Sequence, residues 1–118
     1  MAHAERDAPD AGEIIWVDLG PPFGHEQASR RPALVMSPRD YNQKSSFILV
    51  CPITRNPAAW PFKIQMPEVD RIKGAVLVDQ IRSIDRHMRL VRRGGRIDTE
   101  TLDLVYATLV ALLGIAIR

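Results

Sequence analysis

Cysteine is nearly absent from the 118 residues: Cys51 stands alone, which excludes an intramolecular disulfide and a centre built on several thiolates. A reducing compartment, by default the cytoplasm, is therefore the natural setting. Histidine is also sparse: His3, His25 and His87 stand far apart and no acid joins one of them at a ligand spacing, so no metal site is expected. No apolar run approaches membrane-spanning length, and the opening "MAHAERDAPDAGE" lacks the apolar core of a signal peptide, so no membrane is expected as a partner. Net charge is only +2, too small an excess to establish a polyanionic partner unless the charges are clustered. Internal repeats and low-complexity tracts are also missing.

What is present reads as one globular domain. At 46% hydrophobic and 25% charged, the composition is far from the disordered class, and 118 residues can bury a real core. Residues 1–11, rich in Ala, Asp and Pro without periodicity, read as a flexible lead-in ending at Gly12; residues 12–118 form the domain. "EIIWVDL" alternates like a half-buried strand, with Ile14, Trp16 and Asp18 on one face and Ile15, Val17 and Leu19 on the other. "PALVMS" reads as a second strand. "PRDYNQKS" suits a turn of helix after Ser37, and the continuous run "SFILVCPIT" predicts a third strand buried on both faces. After the loop "RNPAAWP", "FKIQM" alternates, as does part of "AVLVDQIRSI", giving five or six strands. Leu102, Val105, Tyr106, Leu109, Leu112 and Leu113 then recur at helical spacing between a cap at Asp98 or Thr99 and Gly114. Short strands followed by one closing helix predict a mainly β fold, a small barrel or twisted antiparallel sheet with a C-terminal helix.

Three features could carry chemistry. Between the first two strands, "GHEQASRRP" gathers a histidine, an acid and two arginines. Pro32 holds Arg31 out of helical geometry and puts it at the mouth of the second strand, where its planar fork of donors suits a phosphate. An exposed arginine, or one paired with Glu26, is the commoner outcome for such a pattern. Glu26 could serve as a base, orient an arginine or simply be solvated, and His25 is ordinarily just exposed. Thr54, at the end of the third strand, could donate to a ligand or cap a turn, whereas Cys51 reads as a small buried hydrophobe. Finally, Arg82, Arg86, Arg89, Arg92, Arg93 and Arg96 face a single acid, Asp85, in one segment. That basic block is either a solvated face or, with Trp16, Phe23 and Trp60, the material of a single-stranded nucleic-acid groove.

The order of these motifs resembles the MazF/PemK toxins of bacterial toxin–antitoxin systems. "GEIIWVDL", "GHEQASRRP", "CPIT", "WPFKI" and "GAVLVDQIRSIDR" follow the family's sequence of motifs over roughly residues 12–114, with Ser29 where glycine is usual. The resemblance implies a CcdB/PemK-like, SH3-like barrel that works as a homodimer, cuts single-stranded RNA without metal or other cofactor, and is neutralised by a MazE-like antitoxin. It implies Arg31 and Thr54 as catalytic residues, with Glu26 in support, and Gln80 as an RNA contact. Gln27 and Arg30 of the loop and Arg82 and Arg86 of the basic block complete the expected RNA-binding set. A rival on the same fold is a non-enzymatic, CcdB-like toxin that inhibits DNA gyrase by protein binding.

Overall fold

Alternating apolar positions become strands in the computed structural model, which describes residues 8–19 and 30–116. Among these residues lie seven strands: β1 (Glu13–Asp18), β2 (Arg30–Val35), β3 (Phe47–Thr54), β4 (Lys63–Val69), β5 (Ile72–Leu77), β6 (Arg82–Asp85) and β7 (Leu90–Arg96). Among the same residues lie three α-helices: α1 (Arg39–Lys44), the single turn α2 (Arg86–Arg89) and α3 (Thr99–Leu112). The strands pair antiparallel in the order β4-β5-β3-β2-β1-β7, and β6 also pairs with β3. The result is a curled half-barrel closed by the C-terminal helix.

β3 is the hub. Its first half pairs with β6, from Phe47↔Asp85 to Val50↔Arg82, and its end pairs with β5 through Ile53↔Val76 and Thr54↔Ala75. β2 takes a stretch running from Val35↔Val50 to Ala33↔Pro52. One strand that changes partners along its length makes the sheet curl, and register shifts in β1–β7 and β4–β5 add to the bend.

Two apolar clusters hold this sheet. Ile14, Leu34, Cys51, Ile53, Val76 and Val78 gather with Val105 of α3, while Ile15, Val17, Ala33, Val35, Ile48, Val50 and Ile84 form the second cluster. β1 is thus buried on both faces rather than half-buried, because it lies between β2 and β7 and contributes Ile14 to one cluster and Ile15 to the other. β3 departs from expectation the other way. Val50–Ile53 is buried throughout, but Phe47 and Leu49 are 47% and 37% exposed, so the first half of the strand has one open face.

Helix α3 ends as the sequence predicts. The Asp98 side chain accepts from the Thr101 N–H (3.0 Å) and hydroxyl (2.7 Å), capping the first turn. At the other end Gly114, at φ 71°, donates to the Ala111 carbonyl while Ile115 donates to that of Val110, which satisfies the last carbonyls of the helix.

Two boundaries differ from the sequence reading. Packing begins by Ala8, inside the segment 1–11 expected to be flexible: Ala8 and Pro9 are buried, Arg39 Nε donates to the Ala8 carbonyl (2.9 Å) and Asn42 Nδ2 to that of Pro9 (2.7 Å). The strand β7 also exceeds the expected count. Its sequence, "LVRRGGR", reads as a basic block, yet Gly95 is there because a Cβ would stand 2.8 Å from both Asp70 Oδ2 and Val69 Cγ1 on the β4–β5 hairpin.

Candidate active site

The β2–β3 ladder explains how the site assembles. Its outermost pair is Ala33↔Pro52. Carrying that register two residues further brings Arg31 level with Thr54, and the two side chains line one cleft of about 430 Å³ with Asn56, Trp60, Lys63, Leu77, Asp79 and Gln80. Three residues selected from sequence, Arg31, Thr54 and Gln80, therefore share a wall.

Each is placed by its element. Arg31 sits on β2 opposite Val17, followed at once by Pro32 and the buried residues Ala33–Val35, so its backbone is fixed by the core. Thr54 closes β3, and its Oγ1 accepts the Asn56 N–H (3.1 Å), while Asn56 Oδ1 accepts the Ala58 N–H (2.9 Å). The turn-capping role is real, but it uses an acceptor lone pair, and the hydroxyl proton remains available for donation. Behind Thr54 lies Gly74, at φ 142°, where a Cβ would stand 2.2 Å from the Thr54 carbonyl oxygen. Gln80 ends the 3₁₀ turn Val78–Gln80, whose buried Val78 anchors the exposed Asp79 and Gln80 at the cleft.

Asn56, Lys63 and Asp79 were not singled out from sequence. Lys63 Nζ donates to the carbonyls of Asn56 (2.8 Å) and Ala58, tying β4 to the preceding loop. Asp79 Oδ2 accepts from Trp60 Nε1 (3.2 Å). Asp79 could have been found as the neighbour of Gln80, but a lysine in "FKI" and an asparagine in a loop carry no local mark of a site. Beneath the cleft, burial first and the Asp79 carboxylate second push the Cys51 thiol up to about 12, so it stays a neutral core side chain.

The other expected residues are elsewhere. Arg30 lines a separate cavity of about 360 Å³ with Trp16, Val91 and Arg92. Arg82 and Arg86 are not among the residues lining the Arg31–Thr54 cleft, and Arg86 Nε donates to the Asn42 carbonyl (2.9 Å). Three further arginines of the basic block have partners within the protein. Arg92 lies over the Trp16 ring at 5.4 Å, Arg93 pairs with Glu13 at 2.8 Å, and Arg96 Nη2 donates to the Ala11 carbonyl (3.0 Å). Glu26 and Gln27, with His25, lie outside the described residues. No group of three His, Cys, Asp or Glu side chains able to hold a metal occurs among the described residues.

A family model, the PemK-like, MazF-like toxin of type II toxin–antitoxin systems, matches residues 10–113. The chain belongs to this family. Within it, the endoribonuclease toxin MazF of Escherichia coli (strain K12) is 38% identical over 109 residues, covering 92% of this chain and 97% of that protein. The crystal structure of MazF (Form-I) from Deinococcus radiodurans superposes with a TM-score of 0.81 at 37% identity, over 92% of this chain and 98% of that one. A MazE–MazF crystal structure (Form-III) from the same organism gives 0.82 at 34% identity, over 92% and 99% of the two chains. The half-barrel and closing helix are thus the toxin family's fold.

Proposed function

We propose that this chain is a sequence-selective, metal-independent endoribonuclease toxin that cuts single-stranded RNA through the RNA's own 2′-hydroxyl. The observation that carries the reading is the convergence of Arg31 and Thr54, from two adjacent strands, in one cleft. A relative named as an endoribonuclease toxin, alike over 92% of the chain, supports it.

The chemistry asks little of the protein. The 2′-oxygen attacks the adjacent phosphorus, the P–O5′ bond breaks, the 2′-proton is lost to base and the leaving 5′-oxygen gains a proton. Products end in a 2′,3′-cyclic phosphate and a 5′-hydroxyl. Since the nucleophile is intramolecular, catalysis reduces to aligning it and stabilising the charge that develops on the phosphate. Arg31 supplies a charged fork of donors to the non-bridging oxygens, and Thr54 supplies a neutral donor beside it. Glu26, which matches the family's loop acid, is expected to support activity or positioning.

The partners follow from the same family. MazE–MazF complexes are known for Deinococcus radiodurans, and an antitoxin of that kind is the expected inhibitor, acting in the cytoplasm. Two copies of the chain are expected to pair. Exposed apolar side chains on β3 (Phe47, Leu49) and at the end of α3 (Leu112, Leu113) are the kind of surface a second copy would cover. No helix among the described residues is long and apolar enough to cross a membrane.

The test is cleavage of a single-stranded RNA by purified protein in excess chelator, beside an all-DNA copy of the same sequence. RNA cut and DNA intact is the expected result. Cleavage of both, or of neither, overturns the proposal.

A further inference from the structure

Trp60 is a large aromatic side chain that is 48% exposed in a loop and yet held at several points. Its indole N–H donates to Asp79 Oδ2 at 3.2 Å, and Phe62 meets the ring edge-on, with centroids 5.5 Å apart and planes at 63°. Its carbonyl accepts the Lys63 N–H at 3.1 Å. The Lys63 ammonium in turn pins the loop through the carbonyls of Asn56 and Ala58. An apolar face fixed in this way, and left open in the cleft that holds Arg31 and Thr54, has already met the ordering cost a partner would otherwise impose. The chain's other tryptophan contrasts with it: Trp16 carries the Arg92 guanidinium over its ring and lines other cavities.

We infer that Trp60 is the base-stacking wall of the cleft, holding the nucleobase next to the scissile phosphate, and that Asp79 is the positioning residue that sets the indole plane. This rests on the endoribonuclease reading and deepens it. Single-stranded RNA offers unstacked bases whose faces pair with aromatic rings, and a base fixed on Trp60 would anchor the ribose and phosphate beside it near Arg31 and Thr54. The Asp79 role also accounts for a carboxylate in a cleft built for a polyanion. Its charge works against phosphate binding, whereas its hydrogen bond to Nε1 fixes the stacking surface.

The experiment walks a single abasic ribose through the nucleotides flanking the mapped cut, using wild type, Trp60→Phe, Trp60→Leu and Asp79→Asn. At one flanking position the abasic site should lower the wild-type kcat/KM by about 10- to 100-fold, the scale of one aromatic–base stack. Trp60→Leu should show that loss already on intact RNA, with little further loss on the abasic RNA. Trp60→Phe, which keeps a stacking ring but loses its bond to Asp79, should hold kcat and raise KM, and Asp79→Asn, whose amide oxygen still accepts from Nε1, should leave KM no higher than wild type. Losses that multiply between Trp60→Leu and the abasic site would overturn the inference. So would wild-type activity in Trp60→Leu.

A second readout needs no cleavage. RNA blocked by 2′-O-methylation at the cut should quench the Trp60 emission, isolated as the difference between wild type and Trp60→Phe, and the abasic version should not. If the wild type fails to cut RNA, the nuclease reading falls, and the same quench measured with unmodified single-stranded RNA still decides the stacking claim: its presence supports Trp60 stacking and its absence overturns it.

Discussion

At the β7 edge, Arg93 and Arg39 both reach the Glu13 carboxylate, at 2.8 and 3.3 Å, and Glu13 itself is only 7% exposed. In the cleft, by contrast, Thr54 and Trp60 are set by a turn, single hydrogen bonds and a ring contact, around Arg31 placed by strand register. The first region holds a dense run of positive charge in sequence, much of it tied to the protein's own carboxylate, carbonyls and ring. The second draws its polar side chains from separate elements. Arginines dense in sequence are thus dispersed over several protein partners, whereas residues distant in sequence converge in one cleft.

Four substitutions or titrations would break or sharpen that contrast. Arg31→Ala should have the largest effect, lowering RNA cleavage by about 100- to 1,000-fold, the usual cost of removing one charge-stabilising donor. Its circular dichroism and melting should stay close to wild type, because the buried part of β2 begins beyond it. Gly74→Ala comes next. The added methyl cannot share space with the Thr54 carbonyl, so the strand end must shift, costing about 1–3 kcal/mol in stability and about 10- to 100-fold in kcat. Wild-type rates in this variant would show that Thr54 need not be held where it is.

Glu13→Gln should invert the pattern. Loss of the shared carboxylate should destabilise the fold by about 1–3 kcal/mol in urea, discounted for the partial exposure of both arginines, and leave kcat unchanged. The smallest effect is acid sensitivity. The Thr101 hydroxyl, then its N–H, holds Asp98 below the ordinary 3.8; burial raises Asp10, but the N–H groups of Arg39 and Ala11 together with the Arg39 and Arg96 charges outweigh it, so Asp10 is also lowered. Each group binds its proton less readily when folded than unfolded. Their contribution to stability is thus present above pH 3.8 and is lost as pH falls through the lower folded values. Urea midpoints should decline in that acid range, and Asp98→Asn, which keeps a capping side chain, should flatten the decline.

Much of the fold was legible because its signals are local. Alternation marked β1, the apolar run marked β3, and the Asp98 and Gly114 caps bounded α3. β7 was hidden because arginines and glycines mask its alternation, and its glycines answer to the β4–β5 hairpin, a contact distant in sequence. The open half of β3 was hidden because a continuous apolar run does not say which of its faces another element covers. In the site, Arg31, Thr54 and Gln80 were marked by motif order. Asn56 and Lys63 enter only through the loop's own hydrogen bonds, and Arg30, Arg82 and Arg86 look equivalent to Arg31 until the structure places them outside its cleft.

The central claim is that this cleft lets RNA cut itself, and its most direct test is one substrate atom. An RNA with a single 2′-deoxyribose on the 5′ side of the mapped cut, otherwise unchanged, should survive intact at that position in chelator. The parent RNA should yield a 2′,3′-cyclic phosphate and a 5′-hydroxyl. Cleavage of the deoxy-substituted position at the parent rate, or product ends carrying a 3′-hydroxyl and a 5′-phosphate, would contradict the account.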